Sequence, residues 1–264
     1  MSEVKEPAFF NRDKSYDRGL EWYANTFFSG ASGQRYRGES TPWYLYSDAA
    51  AERISADCTG VRLLVILRDP VARAWSHYQD QVSAQIEVRS FSQAIFEESA
   101  DRSNEDPRGI RQQYLTAGDY TLHLTRWLTR FEPDQLLVVT SESMMERPGE
   151  TWEDVGKHIG MEGAGSVLGD LSRTRENTSG DPRSAKLAAL LHAPGRFGRL
   201  RGAARGLVPE RTYRPVAQWM SDWNKKGNGS APLPDHLRLA LRDHYRPSIG
   251  ALERVLERSF PEWQ

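Results

Sequence analysis

The sequence predicts an α/β fold, and three observations carry that prediction. An apolar run, Leu63 to Leu67, is followed at once by Asp69-Pro70 and a stretch of helical periodicity. A second apolar run, Leu136 to Val139, comes after another amphipathic stretch. Strand and helix therefore alternate, which is the pattern of a parallel sheet with crossover helices.

Taken in order, Arg35 to Glu39 reads as a short extended piece, a third strand that Ser40-Thr41-Pro42 ends. Val61 to Arg68 reads as a central parallel strand covered by helices on both sides, because neither of its faces carries a polar residue between positions 63 and 67. Asp69 suits a helix N-cap and Pro70 the first helical turn, where its missing N–H costs nothing, so a helix is predicted to start there. Val71, Ala74, Trp75, Tyr78 and Val82 form its apolar face, with Asp69, Arg73, Ser76 and Asp80 on another. A further helix is predicted ahead of the strand Leu136 to Thr140, with Leu115, Leu122, Leu124, Trp127, Leu128 and Phe131 on its buried side and Pro133-Asp134 as the turn. The last helix is predicted from near Asp235 to Arg258, with Leu237, Leu241, Tyr245, Ile249, Leu252 and Leu256 spaced for burial and Pro247 as a candidate point of kinking or division. No internal repeat or low-complexity tract divides the chain, so a single domain over 1–264 is expected.

Composition excludes several classes. The chain has 264 residues and a hydrophobic fraction of 38%, enough for a sizeable core, so wholesale disorder is ruled out. Its net charge of -1 gives no global field toward nucleic acid or a membrane surface, and any polyanion site is local. The longest apolar runs fall far short of the roughly 18–20 residues that cross a bilayer, so no integral membrane segment is expected. No apolar leader follows Met1, and a cytoplasmic location is expected. The single cysteine, Cys58, supports neither a disulfide nor a zinc finger. Six scattered histidines form no ligand-like cluster, and no metal is expected. The Walker, Rossmann, zincin and nucleophile-elbow motifs are all absent. One local charge concentration stands out between Arg183 and Arg214, where eight basic residues face a single acid, Glu210. It reads either as a solvated insertion or as an electropositive flap for an anionic substrate.

Chemistry concentrates where the first strand meets its helix. Arg68 stands at the strand's carboxyl end, and Ser76 follows eight residues later on the helix. A guanidinium and a hydroxyl opening toward one crevice at a helix start suit a phosphate monoester. On residue chemistry alone, the alternative of an Arg68 paired with an acid and a Ser76 facing water stays open.

Several ordered segments add to this. They are Lys5-Glu6-Pro7-Ala8-Phe9-Phe10, Arg18-Gly19-Leu20-Glu21-Trp22-Tyr23, Gly38-Glu39-Ser40-Thr41-Pro42-Trp43-Tyr44-Leu45 and the stretch from Leu63 to Tyr78. Gly118-Asp119-Tyr120, Trp127 to Phe131, Leu136 to Glu142 and Pro232 to Trp263 continue the series. Together they resemble the sulfotransferases that use 3′-phosphoadenosine 5′-phosphosulfate (PAPS), in particular bacterial members similar to heparan sulfate sulfotransferases. The resemblance covers nearly the whole chain and is weakest from about 165 to 225.

This resemblance implies a P-loop-NTPase-like three-layer fold with a central parallel sheet. It implies PAPS as sulfuryl donor, with no metal, and a hydroxyl or amine of a carbohydrate, glycolipid or secondary metabolite as acceptor. Arg68 and Ser76 match the pair that grips the donor's 3′-phosphate, and Glu6 matches the catalytic base. Lys226, in Lys226-Gly227, falls where the family has a loop closing over the nucleotide. Three departures accompany the match. Ser40 stands where several heparan-type members carry Lys, and Ala8 where His is frequent. The family's phosphosulfate loop and first strand normally precede the Glu6 motif, so the first strand is expected to be missing here and the sheet edge to be exposed. The rival readings are a catalytically impaired homologue serving as a nucleotide-binding or protein-interaction module, and a nucleotide kinase of similar fold.

Overall fold

A computed structural model describes residues 1–31, 33–100, 113–161, 163 and 232–263. The chain forms two compact units, Met1–Leu63 with Leu122–Leu137, and Leu64–Thr121 with Val138–Gln264.

The first unit is built on aromatic packing. Helices α1 (Asp13–Tyr16) and α2 (Gly19–Phe27) are followed by two short 3-10 turns, Ser29–Ala31 and Pro42–Tyr46, and then by α3 (Asp48–Asp57). Gly19 enters α2 at φ 82, a left-handed conformation that glycine adopts without a Cβ clash. Phe9 is fully buried, stacks on Tyr23 at 4.5 Å between ring centroids and meets Phe10 edge-on at 4.9 Å. Ser47 caps α3 by accepting from the Ala50 N–H at 3.1 Å, and Ala50, Ala51 and Ile54 form the buried stripe. The Arg126 and Trp127 side chains donate to the carbonyls of Tyr46 and Leu45, at 2.9 and 3.2 Å, and so fix the Pro42–Tyr46 turn.

The second unit holds the strand-to-helix junction. Strand β1 (Leu63–Leu67) lies beside β2 (Leu136–Thr140). At their starts, Arg62 meets Asp134 at 3.0 Å and Gln135 donates to the Val61 carbonyl at 3.3 Å. At their ends, the Asp69 N–H donates to Glu142 at 3.1 Å. The two strands thus run parallel, as the strand–helix alternation predicts. Helix α4 (Pro70–Ser83) begins where expected, with the Asp69 carboxylate accepting from the Val71 N–H at 2.8 Å. It is followed by α5 (Phe91–Ala100), α6 (Tyr120–Leu128), which from Leu122 on belongs to the first unit, α7 (Ser141–Glu146), α8 (Pro148–His158) and α9 (Asp235–Leu256). Val71, Ala74, Phe91, Tyr114, Leu241 and Tyr245 anchor one continuous core.

Four expectations need correction. Arg35 to Glu39 joins no ladder, and the sheet has two strands among the described residues; the Gly38 carbonyl accepts the Ser2 N–H at 2.8 Å as an isolated contact and not as part of a strand pair. Among the described residues strand β1 is not covered on both faces: Leu64 and Ile66 are 36% and 51% exposed, while Leu67 is buried. Successive side chains alternate across a strand, so one face packs and the other stays open. The helix before β2 is shorter than its apolar pattern, since Thr116–Gly118 forms a 3-10 turn ahead of it; Leu122 points outward, as does Val82 at the end of α4. Helix α9 runs unbroken through Pro247 and ends at Leu256, because Glu257 turns left-handed at φ 49.

Candidate functional site

The junction between β1 and α4 fixes the backbone around Arg68 from both sides. Its carbonyl accepts from the Tyr120 hydroxyl at 2.8 Å, and the next N–H, that of Asp69, goes to Glu142. Glu142 is in turn met by the Trp263 indole N–H at 3.4 Å, so the chain's last turn braces the end of the sheet. Burial, with the nearby Glu142 charge, pushes the Asp69 carboxyl above its ordinary range, against the N–H groups of Val71 and Ala72 that stabilise its charge.

Within this rigid setting the Arg68 guanidinium is exposed and has no acid or hydrogen-bond partner among the described residues. Arg73 on the same junction differs: its guanidinium donates to the Tyr114 carbonyl and lies 3.4 Å from His77 Nδ1, inside the core. Ser76 follows on α4, half-buried, its hydroxyl making no hydrogen bond with a described residue. A fixed backbone carrying an uncommitted guanidinium at the carboxyl end of a strand, with a hydroxyl on the next helix, can bind a phosphate group.

Glu6 sits in the first unit, half-buried, on a turn with unusual backbone geometry. Glu6 and Ala8 have φ values of 54 and 52, in the left-handed region that a Cβ disfavours. The next three N–H groups are fixed by side chains from far along the chain. Ala8 donates to the Thr41 hydroxyl at 3.2 Å; Phe9 and Phe10 donate to the Tyr44 hydroxyl at 2.9 and 3.3 Å. Both hydroxyls donate to the Glu39 carboxylate, at 2.7 and 2.8 Å.

Arg68 and Ser76 thus fall on adjacent elements of one unit, and Glu6 belongs to the other. Lys226 and the basic stretch 183–214 lie outside the described residues. Sequence reasoning passed over Tyr120, Glu142 and Glu39 as supports of these positions. Each sits in a segment that carries the family resemblance, yet Tyr120 and Glu142 bond residues remote in sequence, and Glu39 reaches the Ala8 to Phe10 amides only through Thr41 and Tyr44. Among the described residues no group of His, Cys, Asp and Glu could hold a metal ion, and no helix is long and apolar enough to cross a membrane. Burial raises the Cys58 thiol above its ordinary value.

Comparison with known proteins bears on this arrangement. Heparan sulfate glucosamine 3-O-sulfotransferase 3B1 of Mus musculus is 30% identical over 224 residues, covering 84% of this chain and 54% of its own. Bifunctional heparan sulfate N-deacetylase/N-sulfotransferase 3 of Homo sapiens is 31% identical over 162 residues, covering 60% of this chain and 18% of its own. The chain therefore spans about half the length of the 3-O-sulfotransferase that it matches. The solved sulfotransferase from Alicyclobacillus acidocaldarius superposes with a TM-score of 0.63 at 21% identity, over 98% of this chain and 86% of that one. This likeness shows the fold to be the α/β, P-loop-like fold of that enzyme. The pattern of the Sulfotransferase domain runs through residues 1–186, from the Glu6 turn across the Arg68 junction, and the chain belongs to the sulfotransferase domain family.

Proposed function

We propose that this chain transfers a sulfuryl group from 3′-phosphoadenosine 5′-phosphosulfate to a hydroxyl, or less readily an amine, of a carbohydrate or a similar small acceptor. When bound, the donor supplies an activated sulfuryl group on a phosphate leaving group. The observation that carries the reading is the exposed Arg68 guanidinium on a doubly fixed backbone, with no described partner, in a chain of this family. In the proposal, Arg68 and Ser76 bind the donor's 3′-phosphate, the guanidinium through two charge-assisted hydrogen bonds and the serine through one. Glu6 accepts the proton of the acceptor group as that group attacks sulfur, which requires its carboxylate within about 3 Å of the attacking atom. Lys226 closes over the bound nucleotide. The chain works as a single sulfotransferase domain over 1–264.

The named heparan sulfate enzymes act on a glycan, which makes N-sulfated heparan a rational first acceptor here. The test is donor-dependent transfer of ³⁵S-sulfate from PAPS to N-sulfated heparan and to a panel of other glycans and glycolipids. Donor-dependent label is expected in at least one acceptor, and Glu6→Gln is expected to lower turnover by about 100-fold or more with donor affinity near normal. Absence of transfer to every acceptor would contradict the reaction, and equal turnover by Glu6→Gln would remove Glu6 as the base.

A further inference from the structure

Glu39 gathers three hydroxyl groups around one carboxylate. Tyr23 and Tyr44 donate to Oε1, each at 2.8 Å, and Thr41 donates to Oε2 at 2.7 Å. A carboxylate only accepts, so the single proton of each hydroxyl is committed to Glu39, and the lone pairs of Thr41 and Tyr44 are left facing outward. Those lone pairs take the N–H groups of Ala8, Phe9 and Phe10. Burial, and then the Glu39 charge, raise both phenols well above their ordinary value, so they remain protonated donors at any working pH. The charge on Glu39 therefore sets the polarity of the whole relay.

The segment that the relay supports is one the chain would not adopt unaided. Left-handed backbone at Glu6 and Ala8 is disfavoured by their Cβ atoms, and such a conformation persists only where its surroundings over-determine it. Phe9 and Phe10, packed edge-on in the aromatic core, fix one end of the turn. The hydroxyl relay fixes the backbone between that core and Glu6.

We infer that Glu39 is a positioning residue: through the hydroxyls of Thr41 and Tyr44 it sets the strained turn of residues 6–10 and so the direction of the Glu6 carboxylate. The inference rests on the reading of Glu6 as base. Glu39→Gln replaces one acceptor oxygen by an amide NH2 donor and breaks the polarity of the relay. Thr41→Val, nearly isosteric, removes the Ala8 contact and the donor to Glu39 Oε2 while keeping the Tyr44 arm, and serves where Glu39→Gln folds poorly.

The experiment combines kinetics with hydrogen exchange, using PAPS as donor and whichever acceptor the transfer assay labels. Both variants are expected to lower kcat by roughly 10-fold while leaving the donor KM within about 2-fold, because losing about 1.4 kcal/mol of hydrogen bonding falls on alignment rather than on donor binding. In a Glu6→Gln background, Glu39→Gln should cost no more than about 2-fold further, since two residues acting as one unit are not additive. The Ala8 to Phe10 amides of Glu39→Gln should exchange about 10-fold faster, with Val138 and Val139 unchanged. A full further loss of kcat in the Glu6→Gln background would overturn the inference, as would unchanged exchange at Ala8 to Phe10 whatever the activity. If Glu6→Gln alone transfers normally, the base assignment is what fails, and the exchange result still decides whether Glu39 sets the turn.

Discussion

Gly118→Ala is the perturbation whose cost the structure specifies most closely. A Cβ at this position would lie 2.6 Å from the Tyr245 hydroxyl oxygen, 2.7 Å from Cζ and 2.8 Å from Cε1. Carbon contacts are ordinarily about 3.5–4.0 Å, so the overlap is near 1 Å. Tyr245 has no room to swing aside, since it is fully buried and its hydroxyl is 3.1 Å from each of the Tyr114 and Leu115 carbonyls. Burial pushes that hydroxyl up to about 12, so it stays a donor. Relief therefore means overpacking the core, at about 1–3 kcal/mol, and weakening a buried hydrogen bond worth about 0.5–1.5 kcal/mol. The expected loss is about 2–4 kcal/mol, or roughly 5–15 °C in Tm for a chain of this size. Gly149→Ala in α8 is the control: nothing lies within 4 Å of its added Cβ, and it should melt within a few degrees of wild type, on the stable side. Thermal melts followed by circular dichroism read both. If Gly118→Ala melts with the control, Tyr245 does not lie against the turn, and the packing described for α9 is wrong.

Two further outcomes follow from the same unit. Burial alone would raise the Glu87 carboxyl, but hydrogen bonds from Arg89 and from Tyr114, the latter at 2.9 Å, draw it down from 4.5 to about 2. A folded-state value below the unfolded one gives stability that is present above about pH 4.5 and lost as pH falls through about 2. Glu87→Gln should therefore be less stable than wild type at neutral pH and lose less stability across that acid window; urea midpoints that match wild type at every pH would contradict this. Tyr120→Phe deletes the hydroxyl on the Arg68 carbonyl, and it should weaken adenosine 3′,5′-bisphosphate binding about 3-fold, in line with one hydrogen bond, with little change in melting. Titration calorimetry showing no change would mean that this contact does not tune the junction.

Where the sequence was legible, local chemistry and long-range packing agreed. Asp69-Pro70 announces a helix start because capping and the fixed proline φ act within one turn, and the structure places α4 there. The parallel pairing of β1 and β2 follows from apolar runs separated by helices. Arg35 to Glu39 misled because an extended chain does not by itself imply a ladder; the Gly38 carbonyl takes the Ser2 N–H at 2.8 Å, and no strand forms there. The exposure of Leu64 and Ile66 was hidden for a related reason, since an apolar run does not say how many layers cover it. The candidate site is proposed from residue types: an Arg at a strand end, a Ser on the next helix and a Glu before paired phenylalanines. Its supports were not legible in the sequence. Tyr44 reads as an ordinary core aromatic, and only the fold reveals that its hydroxyl joins Glu39 to the Phe9 and Phe10 amides, more than thirty residues away.

The claim on which the account turns is that Arg68, fixed between Tyr120 and Glu142, grips a 3′-phosphate. Isothermal titration of adenosine 3′,5′-bisphosphate and of AMP against wild type and Arg68→Ala tests it with no acceptor needed. Wild type should prefer the bisphosphate by roughly 10-fold or more, the worth of a charge-assisted pair, and Arg68→Ala should lose most of that preference while AMP affinity changes little. Equal affinity of wild type for the two nucleotides, or a preference that survives Arg68→Ala intact, would contradict it.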